Sequence, residues 1–132
     1  MRTHELQLKI YLEDTDAQGI VYHANYLKYC ERARTEMLGS AAGTPSPTLA
    51  DWQARGYLFV VHELHVKYKV PARLHDGLVV RTELERGSSY RLMFKHKVHR
   101  LADEAAVVQI EAVVVAVGTD GGLRELPPGL FD

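Results

Sequence analysis

The chain has 132 residues, 46% of them hydrophobic, which suits one domain spanning residues 1–132 around a single core. Its net charge of −1 argues against a protein that gains affinity by neutralising nucleic-acid phosphates, and no apolar run nears the roughly 20 residues needed to insert through a membrane. The lone Cys30 forms no internal disulfide and Met1 to Glu5 lead into polar alternation rather than an apolar leader core, so a soluble protein of the reducing cytoplasm is expected.

Leu6, Leu8, Ile10 and Leu12 alternate with Gln7, Lys9 and Tyr11, which predicts a half-buried strand from Leu6 to Leu12. From about Ala24 to Leu38, Tyr26, Leu27, Cys30, Ala33, Met37 and Leu38 recur at helical spacing, and Gly39 ends the helix. Ser40 to Pro47 suit a loop, and Thr48 with Asp51 is the start of a capped short helix closing at Gly56. Tyr57 to Val70 form a long strand that places Leu58, Val60, His62, Leu64, Val66, Tyr68 and Val70 on one face, with His62 the odd residue on an apolar side. Gly77 to Glu85, Tyr90 to Leu101 and Ala105 to Val117 follow as strands joined by short turns, hence antiparallel neighbours. The Thr119 to Gly122 turn leads to a brief Leu123 to Leu126 segment and Pro127-Pro128. The expected architecture is an α+β domain, one antiparallel sheet covered by one long helix, with sheet edges that a second copy would cover.

Between the first strand and the long helix lies Asp14-Thr15-Asp16-Ala17-Gln18-Gly19-Ile20-Val21-Tyr22-His23-Ala24-Asn25-Tyr26. Asp14, Asp16, Gln18 and Gly19 match a calcium loop in part, but Asn25 stands where a bidentate Glu is required and a strand precedes the loop. Capping of the turn accounts for Asp14, and Asn25 is the helix N-cap or its neighbour. Asp16 lies too far from the helix for a cap, which leaves it as a candidate for chemistry.

Asp16, Gly19, Val21, Tyr22, His23, Asn25 and Tyr26, followed by Glu31-Arg32-Ala33-Arg34, resemble the signature of the hotdog-fold acyl-CoA thioesterases related to 4-hydroxybenzoyl-CoA thioesterase. The stretch from Glu13 to His23 is most similar to the branch associated with the bacterial Tol-Pal cluster. The likeness continues through Phe59-Val60-Val61 and Val66-Lys67-Tyr68 to Pro71-Ala72-Arg73-Leu74-His75-Asp76. It implies a hotdog fold, a five-stranded antiparallel sheet wrapped around one helix and dimerising through the sheet, with a homotetramer left open. It further implies hydrolysis of acyl-CoA thioesters in a pocket between subunits, with Asp16 as nucleophile or general base. An aspartate, whose reference pKa is about 3.9, needs no separate base to act at neutral pH. The His23 amide would hold the oxyanion near the positive end of the helix, and Gly19 would let turn and substrate approach closely.

The His23 side chain would contact the acyl group or thioester, or hydrogen-bond across the turn. Tyr22 and Tyr26 are candidates for the acyl pocket, and His62 is a minor one. His62 with His65, and His96 with His99, point to opposite sides of a strand, so no metal site is expected. Cys30, two helical turns after His23, is expected to be a buried core thiol rather than a nucleophile. No cofactor is expected beyond the coenzyme A of the substrate, whose phosphates Lys67, Lys69, Arg91, Lys95 or Lys97 could meet. The alternative is a dimer that binds acyl thioesters or acyl-carrier proteins without hydrolysing them.

Overall fold

The computed structural model describes residues 2–39 and 47–130. In chain order it contains β1 (Arg2–Lys9), a 3-10 turn (Leu12–Asp14), α1 (Asn25–Met37), α2 (Leu49–Ala54), β2 (Leu58–Tyr68), β3 (Gly77–Arg86), β4 (Arg91–Arg100) and β5 (Ala106–Val117). The five strands make one sheet in the order β1-β3-β4-β5-β2, antiparallel throughout. Tight connections make β3, β4 and β5 consecutive neighbours, while the helical excursion after β1 carries the chain to the far edge, where β2 pairs with β5. The α+β architecture expected from the sequence is therefore present, with α1 on one face of the sheet.

The helix buries Tyr26, Cys30, Ala33 and Met37 of the face picked out by spacing, together with Tyr29, which that spacing did not single out, while Leu27 is only partly buried. Its first turns pack on Leu78, Val80, Val98, Val108 and Ile110, and its last turn joins Trp52, Leu84, Leu92 and Phe94. Thr48 and Asp51 form the expected reciprocal cap of α2, and Gly56 at φ +87° closes it. Of the predicted Ser40 to Pro47 loop, residues 40–46 lie outside the described residues, as do Met1 and the last two.

Two expectations about strands are corrected. The first strand runs from Arg2 to Lys9 rather than from Leu6 to Leu12. Ile10 leaves the ladder to exchange hydrogen bonds with the turn at His75 and Asp76, and Leu12 enters the 3-10 turn, 73% exposed. In β2 the register shifts between Val61 and Glu63, so His62 is an extra residue in a β-bulge. The bulge reverses the alternation: Phe59 and Val66, seven positions apart, both pack on the core, which an unbroken strand would forbid. Leu58, Val60 and His62 do not share a face with Val66, and His62 is exposed.

One polar group of the core has a clear thermodynamic consequence. Arg34 of α1 and His96 of β4 are 6% and 1% exposed, and an Arg34 guanidinium nitrogen lies 3.0 Å from His96 Nε2. Because arginine only donates, Nε2 accepts, and the ring proton sits on Nδ1, 2.7 Å from Thr82 Oγ1. Glu31 pairs with the other arm of the guanidinium, and the Phe94 ring stacks on His96 at 5.9 Å. Desolvation, reinforced by the Arg34 charge, pushes the His96 pKa down to about 3. Unfolding restores an ordinary histidine with a pKa near 6.5, so between about pH 6.5 and pH 3 the unfolded chain binds a proton that the native chain refuses. Stability from this site is fully present above that window and falls as the pH drops through it. Urea unfolding at about pH 7 and about pH 4.5 should show the wild type losing about 2 kcal/mol more than His96→Gln. Equal losses would contradict the buried neutral histidine.

Candidate active site

The chain from Thr15 to Val21 folds back on itself in a tight turn. Thr15 and Val21 bridge as antiparallel partners, the Asp16 N–H donates to Ile20 O at 2.8 Å, and the Gly19 N–H donates to Asp16 O at 3.0 Å. Gly19 has φ +79°, and beyond its chain neighbours no protein atom lies within 4 Å of the place a Cβ would occupy. Within the protein, then, backbone conformation rather than space requires glycine there. Asp16 Oδ1 accepts the Gln18 N–H at 2.8 Å, an Asx turn that orients the carboxylate. Its Oδ2 meets no donor among the described residues.

Asp14 does more than cap. Its Oδ2 accepts the Tyr11 N–H at 2.8 Å, closing the 3-10 turn as expected, and its Oδ1 accepts the Tyr29 hydroxyl at 2.7 Å. Its carbonyl takes both the Tyr22 N–H and Asn25 Nδ2, each at 2.9 Å. The N-cap of α1 is Ala24, with no side-chain bond, so Asn25 is the first helical residue and reaches back to Asp14 instead. Burial first, and the Asp14 carboxylate second, hold the Tyr29 phenol well above its ordinary pKa, so it remains a neutral donor.

Residues 20–26 are clamped to the segment after β2. The Val21 N–H donates to Ala72 O at 2.9 Å, the Ala72 N–H donates to the Tyr26 hydroxyl at 3.1 Å, and Ile20 bridges Arg73. Between them lies a cavity of about 260 Å³, with Ile20, Val21, His23 and Tyr26 on one side and Tyr68 and residues 69–71 on the other. The His23 N–H, two residues ahead of α1, has no acceptor among the described residues. An unclaimed amide at the positive end of a helix, on a residue that lines an apolar cavity, is suited to hold a developing negative charge.

His23 and Tyr26 share the cavity wall, and the turn bearing Asp16 and Gly19 leads into that wall through Ile20 and Val21 without itself lining the cavity. Tyr22 is 47% exposed, its ring 4.6 Å from that of His23 and outside the cavity wall. His62 is not brought to this cavity: from its bulge it borders a separate hollow with Ser88, Tyr90 and Arg91. Cys30 is fully buried and its thiol is pushed up to about 12 by desolvation, which leaves it unreactive at neutral pH. His96 faces the core while His99 contacts Arg81, and among the described residues no three His, Cys, Asp or Glu side chains gather to hold a metal. Among those residues no helix is long and apolar enough to cross a membrane. Sequence reasoning missed Tyr68 as part of the site. Its signals were a place at the end of a strand, on the side assigned to the core, and membership of the Val66-Lys67-Tyr68 stretch covered by the family resemblance; neither gave it a role.

The family model described as "Thioesterase superfamily" matches residues 18–107. The chain belongs to the thioesterase superfamily. This thioesterase is 38% identical over 110 residues to the acyl-CoA thioester hydrolase YbgC of Escherichia coli O157:H7, covering 83% of the chain and 78% of that relative. It is 41% identical over 93 residues to the acyl-CoA thioesterase YbgC of Haemophilus influenzae, covering 70% and 66% respectively. Among solved structures, a probable thioesterase from Bartonella henselae superposes with a TM-score of 0.81 at 29% identity, covering 96% of this chain and all of that one. The Slr0204 thioesterase from Synechocystis superposes with a TM-score of 0.85 over 96% of this chain and 90% of that one; at 20% identity it speaks for the fold alone. The resemblance and the hotdog fold expected from the sequence are both borne out.

Asp14→Ala would leave the buried Tyr29 hydroxyl without its acceptor and free the 3-10 turn, costing about 2 kcal/mol of stability in a denaturant titration. Tyr29→Phe should cost less, and the two together should cost less than their sum, because they share one bond. Strict additivity would contradict the coupling.

Proposed function

We propose that Asp16 and the His23 amide form the hydrolytic centre of an acyl-CoA thioesterase. The observation that carries this reading is a half-engaged carboxylate on a turn that leads, through Ile20 and Val21, to an unclaimed N–H just ahead of α1 on a residue lining an apolar cavity. Membership in the thioesterase superfamily and the likeness to curated acyl-CoA thioester hydrolases support acyl-CoA as the substrate. The family match begins at Gln18, downstream of Asp16, so the assignment of Asp16 rests on the local geometry and the motif.

Two routes suit a carboxylate in this position. As a nucleophile, a free Asp16 oxygen attacks the thioester carbon, the oxyanion takes the His23 N–H, and collapse expels the coenzyme A thiolate to leave a mixed anhydride that water cleaves. As a general base, Asp16 removes a proton from the attacking water and the same amide steadies the same charge. Either route ends in free acid and coenzyme A, and neither asks for a metal or a cofactor beyond the substrate's own. Gly19 sets the turn, Tyr26 forms cavity wall, and the His23 ring stands beside the reacting group. Tyr22 approaches substrate only through the His23 ring it touches, and His62 has no part unless a second subunit brings it near.

We take the working form to be a cytoplasmic homodimer. β2 is an outer strand of the sheet, and its exposed Val60, Val61 and Leu64 support pairing with a second copy along that edge. The cavity would then lie near the subunit boundary.

Release of free thiol from a panel of acyl-CoAs tests the reading. Asp16→Asn is expected to lose at least about a hundredfold in kcat, the size associated with a principal catalytic group. Equal rates for the two proteins would remove Asp16 from the mechanism. No turnover by the wild type on any member of the panel would favour a module that only binds acyl thioesters or carrier proteins.

A further inference from the structure

The His23 backbone is held from both sides, and the two holds come from different parts of the chain. On its N-terminal side the peptide that carries the His23 N–H also carries the Tyr22 carbonyl, which accepts the Asn25 N–H at 2.9 Å. On its C-terminal side the His23 carbonyl accepts the hydroxyl of Tyr68 at 3.0 Å. Tyr68 is the last residue of β2, paired there with Val108 of β5, so a strand rather than a loop supplies this second hold. Its ring stands edge-on to the His23 ring at 6.2 Å and tilted against Tyr26 at 6.1 Å. Tyr26 is itself 3% exposed and fixed by the Ala72 N–H.

We infer that Tyr68 is a positioning residue for thioester hydrolysis: its hydroxyl holds the His23 peptide so that the His23 N–H faces the oxyanion as it forms. The inference rests on the reading of that amide as the oxyanion donor. Residues 22–24 lie between the Thr15–Val21 bridge and the first turn of α1, outside both strand and helix ladders. Without the Tyr68 hydroxyl, rotation about the bonds flanking the His23 Cα is restrained only through its neighbours, by the Asn25 N–H on Tyr22 O and the Leu27 N–H on Ala24 O, and the His23 carbonyl itself loses the bond that fixes its direction. A donor that is free to turn loses the advantage of having been oriented before the charge appears. The loss belongs to the transition state, because the ground-state carbonyl draws far less on the amide than the oxyanion does.

Tyr68→Phe keeps the ring that walls the cavity and removes only the hydroxyl. With an acyl-CoA that the wild type turns over, kcat should fall about fivefold to twentyfold while KM stays within about twofold, the pattern of an interaction made in the transition state. The melting temperature should stay within about 3 °C of wild type, since the lost bond lies at an exposed position. An unchanged kcat overturns the inference, whether KM rises, as for a mere cavity wall, or the melting temperature falls, as for a merely structural bond. Asp16→Asn run in parallel separates the two levels of the account. If Asp16→Asn is impaired and Tyr68→Phe is not, the inference alone fails. If Asp16→Asn keeps full activity, the proposed centre fails and the inference with it.

Discussion

Asp14 is the constraint on which the site depends. Its carboxylate ties the 3-10 turn after β1 to Tyr29 in the second turn of α1, and its carbonyl takes both the Tyr22 N–H and the Asn25 amide. These bonds join the entrance to the turn and its exit to the same residue, so the segment that carries Asp16 is closed at its base. Asp16 can keep one carboxylate oxygen unengaged because Asp14 performs the structural work two residues earlier. The pair therefore divides its labour: one carboxylate is spent on local hydrogen bonds, and the other is left for a substrate.

The rest of the fold makes this closed segment stiff. Its far side is stitched to the chain after β2 at Ala72, by one bond to the backbone of Val21 and one to the phenol of Tyr26. Behind it, α1 is seated on β3, β4 and β5 through its apolar stripe, and Arg34 is anchored by His96 and Glu31. A buried guanidinium needs all of its partners, because an unpaired charge inside a core is costly; this ties the register of α1 to β4 as firmly as its apolar contacts do. The N-terminus of α1 is thereby presented at a fixed place, where its amide can meet a charge without first reorganising.

The elements whose residues act through periodicity were legible. The alternation in β3, β4 and β5, the stripe from Tyr26 to Met37, the Thr48–Asp51 cap and the stop at Gly56 are local rules with local outcomes. What escaped depends on contacts between distant segments. The departure of Ile10 from β1 follows from a better partner at residues 75–76, and the bulge at His62 inverts a face next to Leu58-Phe59-Val60-Val61, four consecutive apolar residues that do not fix which face is inward. Nothing local to Arg34 marks its bond to His96, 62 positions downstream on β4. At the site, the Asp16 and His23 motif stood out through its resemblance to a family, whereas Tyr68, 45 positions downstream of His23, had no local mark of its bond to that residue. The cavity wall is a product of the sheet and could not be drawn from either segment alone.

The central claim is that the thioester lies between the Asp16 carboxylate and the His23 amide. A crystal structure with a non-hydrolysable acyl-CoA analogue, in which a methylene replaces the thioester sulfur, tests it most directly. The account predicts the acyl carbonyl oxygen about 3 Å from the His23 nitrogen, with the carbonyl carbon facing an Asp16 oxygen. An analogue seated elsewhere, or one whose carbonyl is held by other donors with Asp16 turned away, would contradict it.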